Sequence, residues 1–398
     1  MTWLSTGPLY ASAVVGRADV AIVGGGAIGL AVARELAAAG VDSVRVLERE
    51  PAVGQGSTAR ANGGVRAQFT TPINVAFSMH SIAQFERLQR DHGSLLSFHQ
   101  VGYLFVTATI AGEAQLRAAR DLQRSLGVDT EWVSPEEIGR LAPLIRVDGL
   151  RGGTFHSRDG FLDPHGVVEA LRSECRPDRV TIRTGAEVTG FRLRSGSIEV
   201  ATTADDLEAG WVVDAAGPHA AVVAGMVGVD LPVVPVRRNL AFAQIPGEPP
   251  SLIPMCIDVD TGVLVRREVA GGYVIAYSNP EDPPGWDTSV DPRFLEELGG
   301  RIGNRFPTLQ DVPIDPRQCW AGLYPETPDH HAIVGSVPET ERFIVCAGFG
   351  GHGLMHAPAA GTAVAELITE GACTTFDLRP LRPSRFAEGD LIVESAVL

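Results

Sequence analysis

The sequence predicts an α/β protein in which a Rossmann-like dinucleotide-binding domain carries an inserted, largely antiparallel β-sheet substrate domain. Three observations predict it. A glycine turn joins a strand-like to a helix-like segment near the N-terminus, a second glycine loop does the same near the C-terminus, and a β-rich, helix-poor stretch lies between them. With 398 residues the chain is long enough for two domains or one large discontinuous one.

The first element is Asp19 to Val23, a short apolar run that reads as a buried parallel strand, and Leu30 to Ala39 reads as a helix closed by Gly40 at C′. The intervening turn fits G-x-G-x-x-G. Gly24 serves the tight turn, Gly26 the close approach of backbone to a pyrophosphate, and Gly29 the packing of helix on strand. Ala27 and Ile28 begin the helix, whose free N–H groups and positive end favour phosphate oxygens. A second strand, Ser43 to Leu47, ends at Glu48 and Arg49, with Glu48 19 residues beyond Gly29, where a carboxylate meets ribose hydroxyls.

A glycine- and serine-rich loop from Gly54 to Gly64 leads to Arg66, and helical patterns follow at 74–92 and 111–126 with a strand at 101–106 between them. Strand-like pieces recur at 179–183, at 186–200 (which holds Val188) and at 210–214. The last runs into Ala215-Ala216-Gly217, small enough for close approach of a second backbone to a dinucleotide. Residues 231–279 alternate in the manner of strands, 279–292 form a Pro- and Asp-rich loop, and 292–305 read as a short helix. The strand 343–347 enters the second loop, Gly348 to Gly353, and a helix spans 354–369, where Pro358 is tolerable only near the first turn. The expected division is 18–92, 150–230 and 321–375 for the nucleotide domain and 93–149 and 231–320 for the substrate domain. Residues 1–17 read as an irregular extension and 376–398 as a tail.

Composition narrows the function. A hydrophobic content of 44% and a charged content of 20% are those of a soluble globular chain, and a net charge of −15 argues against nucleic acid or an anionic membrane surface. There is no lysine, which excludes lysine bases, Schiff bases and lysine-dependent oxygen activation. Five scattered cysteines without a C-x-x-C read as reduced cytosolic thiols, giving a cytoplasmic expectation and no zinc site. The N-terminal stretch lacks the basic region of a signal peptide, and charges interrupt the apolar run that follows, so no membrane span is expected.

Five segments in this order, GGGAIG with Glu48, GSTARANGGVRAQF, VVDAAGP, WAGLYPETPDHHAIVG and CAGFGGHGLMHAP, resemble the D-amino-acid oxidase-like family of FAD-dependent oxidoreductases. The likeness spans roughly residues 18–372 and is strongest to sarcosine oxidase β-subunit-like, proline dehydrogenase-like and glycine oxidase-like members. It implies a FAD domain and a smaller antiparallel domain facing the flavin. Gly24, Gly26 and Gly29 would hold the pyrophosphate, Glu48 the ribose, and Ser57 and Thr58 the diphosphate and flavin side. Gly63 and Gly64 would pass close to the isoalloxazine, Gly217 beside the adenine half, and Gly348, Gly350, Gly351, His352, Gly353 and Leu354 under the pyrimidine ring.

Departures from the family refine this. Gly322 stands where some sarcosine oxidases carry a flavin-linking cysteine, Cys319 is three residues too early, and Arg60 stands where dimethylglycine dehydrogenase-like members carry a linking histidine. The FAD is therefore expected to be noncovalent. Tyr324 replaces the arginine with which glycine and D-amino-acid oxidases bind the substrate carboxylate, and Met355 replaces a lysine of monomeric sarcosine oxidases.

The expected reaction is oxidation of the C–N bond of a small secondary amine or N-substituted amino acid to an imine, by hydride transfer to flavin N5. Arg66 and Arg266 are candidates for binding its carboxylate; Tyr324, and one of Tyr273 and Tyr277, are candidates to line the cleft, with His352 near the flavin. His352 and His356 share a metal-like spacing but lack a third ligand, and of the adjacent His330 and His331 at most one faces the flavin. The electron acceptor is O2 or another oxidant. The alternatives are a D-amino-acid or glycine oxidase, and a flavoprotein subunit that works with a partner or as a homo-oligomer.

Overall fold

The computed structural model describes residues 16–245, 251–279, 281–338 and 340–394. The expected N-terminal extension therefore lies outside the described residues except for Gly16 and Arg17, which already belong to the first strand. That strand, β1 (Gly16–Val23), runs through the glycine turn into α1 (Ala27–Ala38) and is followed by β2 (Val44–Leu47). Next come β3 (Gly64–Val65), α2 (Pro72–His92), β4 (Tyr103–Thr107) and α3 (Ile110–Ser125). Then follow β5 (Glu131–Val133), α4 (Pro135–Leu141), β6 (Gly152–His156), β7 (Gly160–Phe161) and α5 (Pro164–Glu174), none of them among the elements expected from the sequence. The chain returns through β8 (Val180–Arg183), the hairpin β9 (Val188–Arg194) and β10 (Ser197–Thr202), β11 (Leu207–Asp214) and α6 (Ala220–Gly225). The inserted stretch holds β12 (Val234–Ala243), β13 (Met255–Asp258), β14 (Val263–Arg267), β15 (Tyr273–Tyr277), α7 (Pro292–Ile302) and α8 (Pro307–Gln310). The final elements are β16 (Trp320–Glu326), β17 (Ile333–Ser336), β18 (Phe343–Ala347), α9 (Gly353–Thr369) and α10 (Arg385–Glu388).

Two large sheets result. In the first, β18, β11, β1, β2 and β8 lie side by side and parallel, β17 closes one edge antiparallel, and the β9–β10 hairpin hooks onto β11. β1 is central and nearly every side chain beyond Asp19 is buried, as a strand covered on both faces requires. The second sheet runs β16-β12-β15-β14-β13-β4-β6-β5, antiparallel throughout except for the β13–β4 pair. Two of its strands, β6 and most of β16, fall in stretches that the sequence placed on the nucleotide side. Their backbone edges pair with β4 and β12, so strand pairing crosses the expected boundaries there.

Small residues bring α1 and α9 together. A Cβ on Gly361 of α9 would lie 2.7 Å from the Ala31 carbonyl of α1, and the alanines of both helices share one buried core. Gly40 takes φ +95° just beyond the α1 cap, the left-handed ending expected of a C′ glycine. Pro358 sits inside α9 in its second turn, one turn further in than expected, and the buried packing around it holds the helix together.

The stretch expected to be a tail is instead tied to the start of α2 and to the turn between β16 and β17. Arg385 is fully buried in a two-pronged pair with Asp329, at 2.7 and 3.0 Å. Glu394, also fully buried, accepts from the Thr70 backbone N–H at 2.9 Å, from the Thr71 hydroxyl at 2.9 Å and from Asn74 Nδ2 at 3.0 Å. Buried polar side chains need such partners, and the final described residues acquire a fixed path because of them. Among the described residues no helix is long and apolar enough to cross a membrane.

Candidate functional site

The first part of the site is a crevice at the C-terminal ends of the parallel strands. A Cβ on Gly24 (φ +107°) would lie 2.5 Å from the Ala215 carbonyl, and one on Gly29 would lie 1.9 Å from the Gly24 carbonyl. Only glycine allows β1, β11 and α1 to converge this tightly. Gly26 precedes α1 without a side-chain cap, and no acidic residue occupies the helix's own first turn, so its positive end faces the crevice. Ala27 N–H donates to the Thr58 hydroxyl at 3.2 Å, and Ser57 donates to the Leu323 carbonyl at 2.6 Å. Glu48 stands at the end of β2, where its two oxygens accept from the Gly25 and Glu50 N–H groups at 2.8 and 2.9 Å. On the far side of β1, Ala216 and Gly217 follow β11, and Gly217 adopts φ +56°. Asp214 just before them is fully buried, and burial pushes its carboxyl up to about 8. Val188 is buried at the start of β9.

The second part joins the glycine loops to the antiparallel sheet. Gly63 and Gly64 leave no room for side chains: a Cβ would lie 2.1 Å from the Leu162 carbonyl and 1.9 Å from the Tyr103 hydroxyl, respectively. Gly348 and Gly350 both have positive φ, and a Cβ on Gly351 would lie 2.5 Å from the Tyr324 ring. Gly353 then opens α9, and Leu354 packs in the same core as Ala27 and Leu30 of α1, which sets the two glycine loops side by side.

An open cleft lies between these loops and the sheet. Asn62, Arg66, Gly351, His352 and Met355 line one side; Tyr103, Leu264, Ala276, Tyr277 and Tyr324 line the other. Three sequence candidates, Arg66, Tyr324 and His352, thus meet in one place. Arg66 is buried, stacks on Phe69 with its guanidinium carbon 3.9 Å from the ring centroid, and donates to the Gln68 carbonyl and to His352 Nε2, the latter at 3.4 Å. An arginine only donates, so His352 accepts through Nε2 and is neutral. Burial, then the neighbouring Arg66, holds its pKa well below the usual imidazole range.

Arg266 lies behind the Gly63 backbone, where it pairs with Glu268 and sits over Phe161, and it is not part of the cleft lining. Of the two strand tyrosines, Tyr277 reaches the cleft and donates to Glu297 at 2.5 Å, whereas Tyr273 is packed in the core of the second sheet. His330 is half-buried beside Glu326 at 3.1 Å, and its neighbour His331 points inward to Thr71 at 2.9 Å. His356 bonds to the Ser78 hydroxyl at 2.9 Å, and no group of three metal-ligating side chains occurs among the described residues. Arg60 and Gly322, the two positions at which the resemblance implies linking residues, are neighbours. A Cβ on Gly322 would lie 3.0 Å from Arg60 Cβ, while Cys319 is engaged with the Asp315 carbonyl.

Several residues of the site carried no sequence signal. Buried Asp159 accepts from Ala67 N–H at 2.8 Å and Gln68 Nε2 at 3.2 Å and pairs with His156 at 2.7 Å, fixing the loop that carries Arg66. Tyr103 was visible only as part of a strand. Asn62 is the exception: in its Asn-Gly-Gly run the side-chain oxygen accepts from Gly64 N–H at 2.9 Å, turn chemistry that the sequence displays.

The family model for FAD-dependent oxidoreductases (DAO) matches residues 19–367. The chain is 31% identical to FAD-dependent oxidoreductase domain-containing protein 1 of Bos taurus, over 96% of this chain and 87% of that protein. It is 27% identical to mitochondrial dimethylglycine dehydrogenase of Rattus norvegicus, over 94% of this chain but only 45% of that protein. Among solved structures it is similar to L-proline dehydrogenase from P. horikoshii, with a TM-score of 0.89, 29% identity, and coverage of 94% of this chain and 99% of that one.

Proposed function

The chain belongs to the FAD-dependent oxidoreductase (DAO) family, whose members act on amine or amino-acid substrates, and from that premise we propose that it oxidises a small secondary amine or N-substituted amino acid of the sarcosine or proline kind. The observation that carries this reading is the buried Arg66 guanidinium opening, with Tyr324 and His352, into a cleft bounded by the Gly63–Gly64 and Gly350–Gly351 backbones.

The crevice residues fit FAD. Gly24, Gly26, Gly29 and the α1 N-terminus take the pyrophosphate, and Glu48 takes the adenosine ribose. Gly63, Gly64 and Gly348 to Leu354 would hold the flavin end, and the α9 N-terminus would favour negative charge there. Arg60 and Gly322 offer no linking side chain, so the cofactor is held noncovalently. When bound, FAD supplies a two-electron acceptor that takes a hydride from the carbon beside the substrate nitrogen, leaving an imine for water to hydrolyse.

The chain's own residues position the substrate. Arg66 receives the carboxylate through a charge-assisted bond of about 1.5–3 kcal/mol. Leu264 and Met355, in the same lining, would keep water from the reacting carbon, and Tyr324 would face the amine. The first sheet serves the cofactor and the second the substrate. The chain has no lysine to offer in reoxidation, so O2 or another oxidant would have to serve without one, and five unpaired thiols fit a reducing compartment. A partner subunit or self-association is compatible with this reading.

Anaerobic bleaching of the flavin by sarcosine, proline, D-alanine and glycine, followed by timed reoxidation in air, tests it. Sarcosine or proline should bleach fastest, and Arg66→Gln should raise KM roughly 10- to 100-fold for carboxylate substrates but not for dimethylamine. Turnover of primary amino acids alone would overturn the proposal.

A further inference from the structure

Three side chains from separate parts of the fold meet at the mouth of the nucleotide crevice. Arg49 follows Glu48 at the end of β2, His219 closes the short turn after β11, and Trp286 belongs to the loop between β15 and α7. β2 and β11 flank β1 on opposite sides, so Arg49 and His219 approach each other across the end of the central strand. Arg49 Nη1 donates to His219 Nε2 at 2.9 Å, and the Trp286 ring lies on the imidazole with centroids 4.4 Å apart and planes tilted by 37°. Since arginine only donates, His219 is a neutral acceptor there.

Trp286 is held in this position by more than the stack. Gly285 N–H donates to the Pro235 carbonyl at 2.8 Å, Pro284 bridges to Val236, and Arg237 binds Asp287 at 2.7 Å. An anchored loop nevertheless leaves this large aromatic ring 50% exposed. In open α/β sheets the nucleotide lies outside the carboxyl ends of the strands at the point where strand order reverses, which is the place these three residues span. Neutral imidazole and indole faces suit stacking on a purine, and the arginine offers further donors and a planar cation to the same ring.

The geometry points to a clasp in which Arg49, His219 and Trp286 cover the adenosine half of the bound dinucleotide, so that a loop of the substrate sheet helps to retain the cofactor. This rests on FAD as the cofactor and on the placement of its adenosine beside Glu48, and is independent of which amine is oxidised.

The test uses the purified holoenzyme and no amine. FAD release is followed by the rise of flavin fluorescence on dilution, for the wild type and for Trp286→Ala, Trp286→Phe and His219→Ala. Trp286→Ala and His219→Ala should each speed release about tenfold, and Trp286→Phe, which keeps a stacking ring, should speed it less. The emission assigned to Trp286, wild type minus Trp286→Phe, should be quenched in the holoenzyme and recover as FAD leaves. Release rates equal to wild type in both alanine variants, or Trp286 emission indifferent to FAD, would overturn the clasp and point to a surface that meets a partner protein. A failed amine panel would leave these readouts unaffected, so the two proposals fail separately.

Discussion

The nucleotide crevice is built mainly from backbone, and the neighbouring cleft is built from side chains. In the crevice the decisive positions are glycines in one contiguous run, whose missing Cβ atoms let β1, α1 and β11 converge. In the cleft Arg66, Tyr103, Tyr324 and His352 arrive from four distant stretches of chain. They are held by groups behind them: Asp159, Gln68, and further back Glu394 and Arg385. Backbone convergence tolerates no added atom, whereas a side-chain constellation can lose a member and keep its frame. The crevice should therefore fail abruptly on substitution and the cleft by degrees.

The largest expected effect follows from that contrast. A Cβ at position 29 would lie 1.9 Å from the Gly24 carbonyl, so Gly29→Ala forces α1 away from β1. The variant should purify without flavin, with its 450 nm absorbance lost and its melting temperature lowered. Retention of a full complement of FAD would break the comparison. Next in size is the support beneath the cleft. Arg385→Met leaves fully buried Asp329 without its cation and should cost about 3–5 kcal/mol of unfolding free energy in urea. Pairing it with Asp329→Leu should restore part of the loss, since the desolvated charge is then gone.

What could be read from the sequence divides along the same line. The strand, turn, helix and acid at 19–48 are legible because the residues that touch are also neighbours in the chain, and so are the loop at 348–353 and the β-rich insert. Arg66 and Tyr324 could be nominated by position in familiar motifs. That Arg66 and not Arg266 faces the cleft was not legible, because it depends on Glu268 capturing Arg266 behind Gly63. Asp159 and Glu394 were invisible for a simpler reason. Each is a lone acid in an unremarked stretch, and only the fold gives either one several buried donors. The 376–394 segment reads as a tail because its anchors are single residues without a period; Phe376 and Leu381 enter the core beside α1 and α9, and the buried Arg385–Asp329 pair and the hydrogen bonds to Glu394 fix the rest.

A smaller effect concerns the titration of the crevice itself. Burial raises the Asp214 carboxyl from its ordinary 3.8 to about 8, so between these values the folded protein holds a proton that the unfolded chain has released. Stability from this group is therefore present at acid pH and falls as pH rises toward 8. Asp214→Asn removes that slope. The melting temperature of the variant relative to wild type should be higher at pH 8 than at pH 5, and a difference independent of pH would show that Asp214 is ionised in the fold.

The smallest expected effect tests the seam between the two regions, because Tyr324 belongs to both. Its ring lies against Gly351, where a Cβ would come within 2.5 Å of it, while the side chain also lines the cleft. Tyr324→Phe keeps the ring and removes the hydroxyl. If the glycine loop needs only the ring's shape, FAD retention and the visible spectrum should match wild type. The amine should then lose one hydrogen bond, worth about 0.5–1.5 kcal/mol, which is a roughly 2- to 12-fold rise in KM. Tyr324→Ala should instead loosen the loop and shift the flavin spectrum, since Gly351 loses the surface it rests on. If Tyr324→Phe released FAD as readily as Tyr324→Ala, the hydroxyl would be part of the cofactor's support, and the line between a backbone crevice and a side-chain cleft would have to be redrawn through this residue.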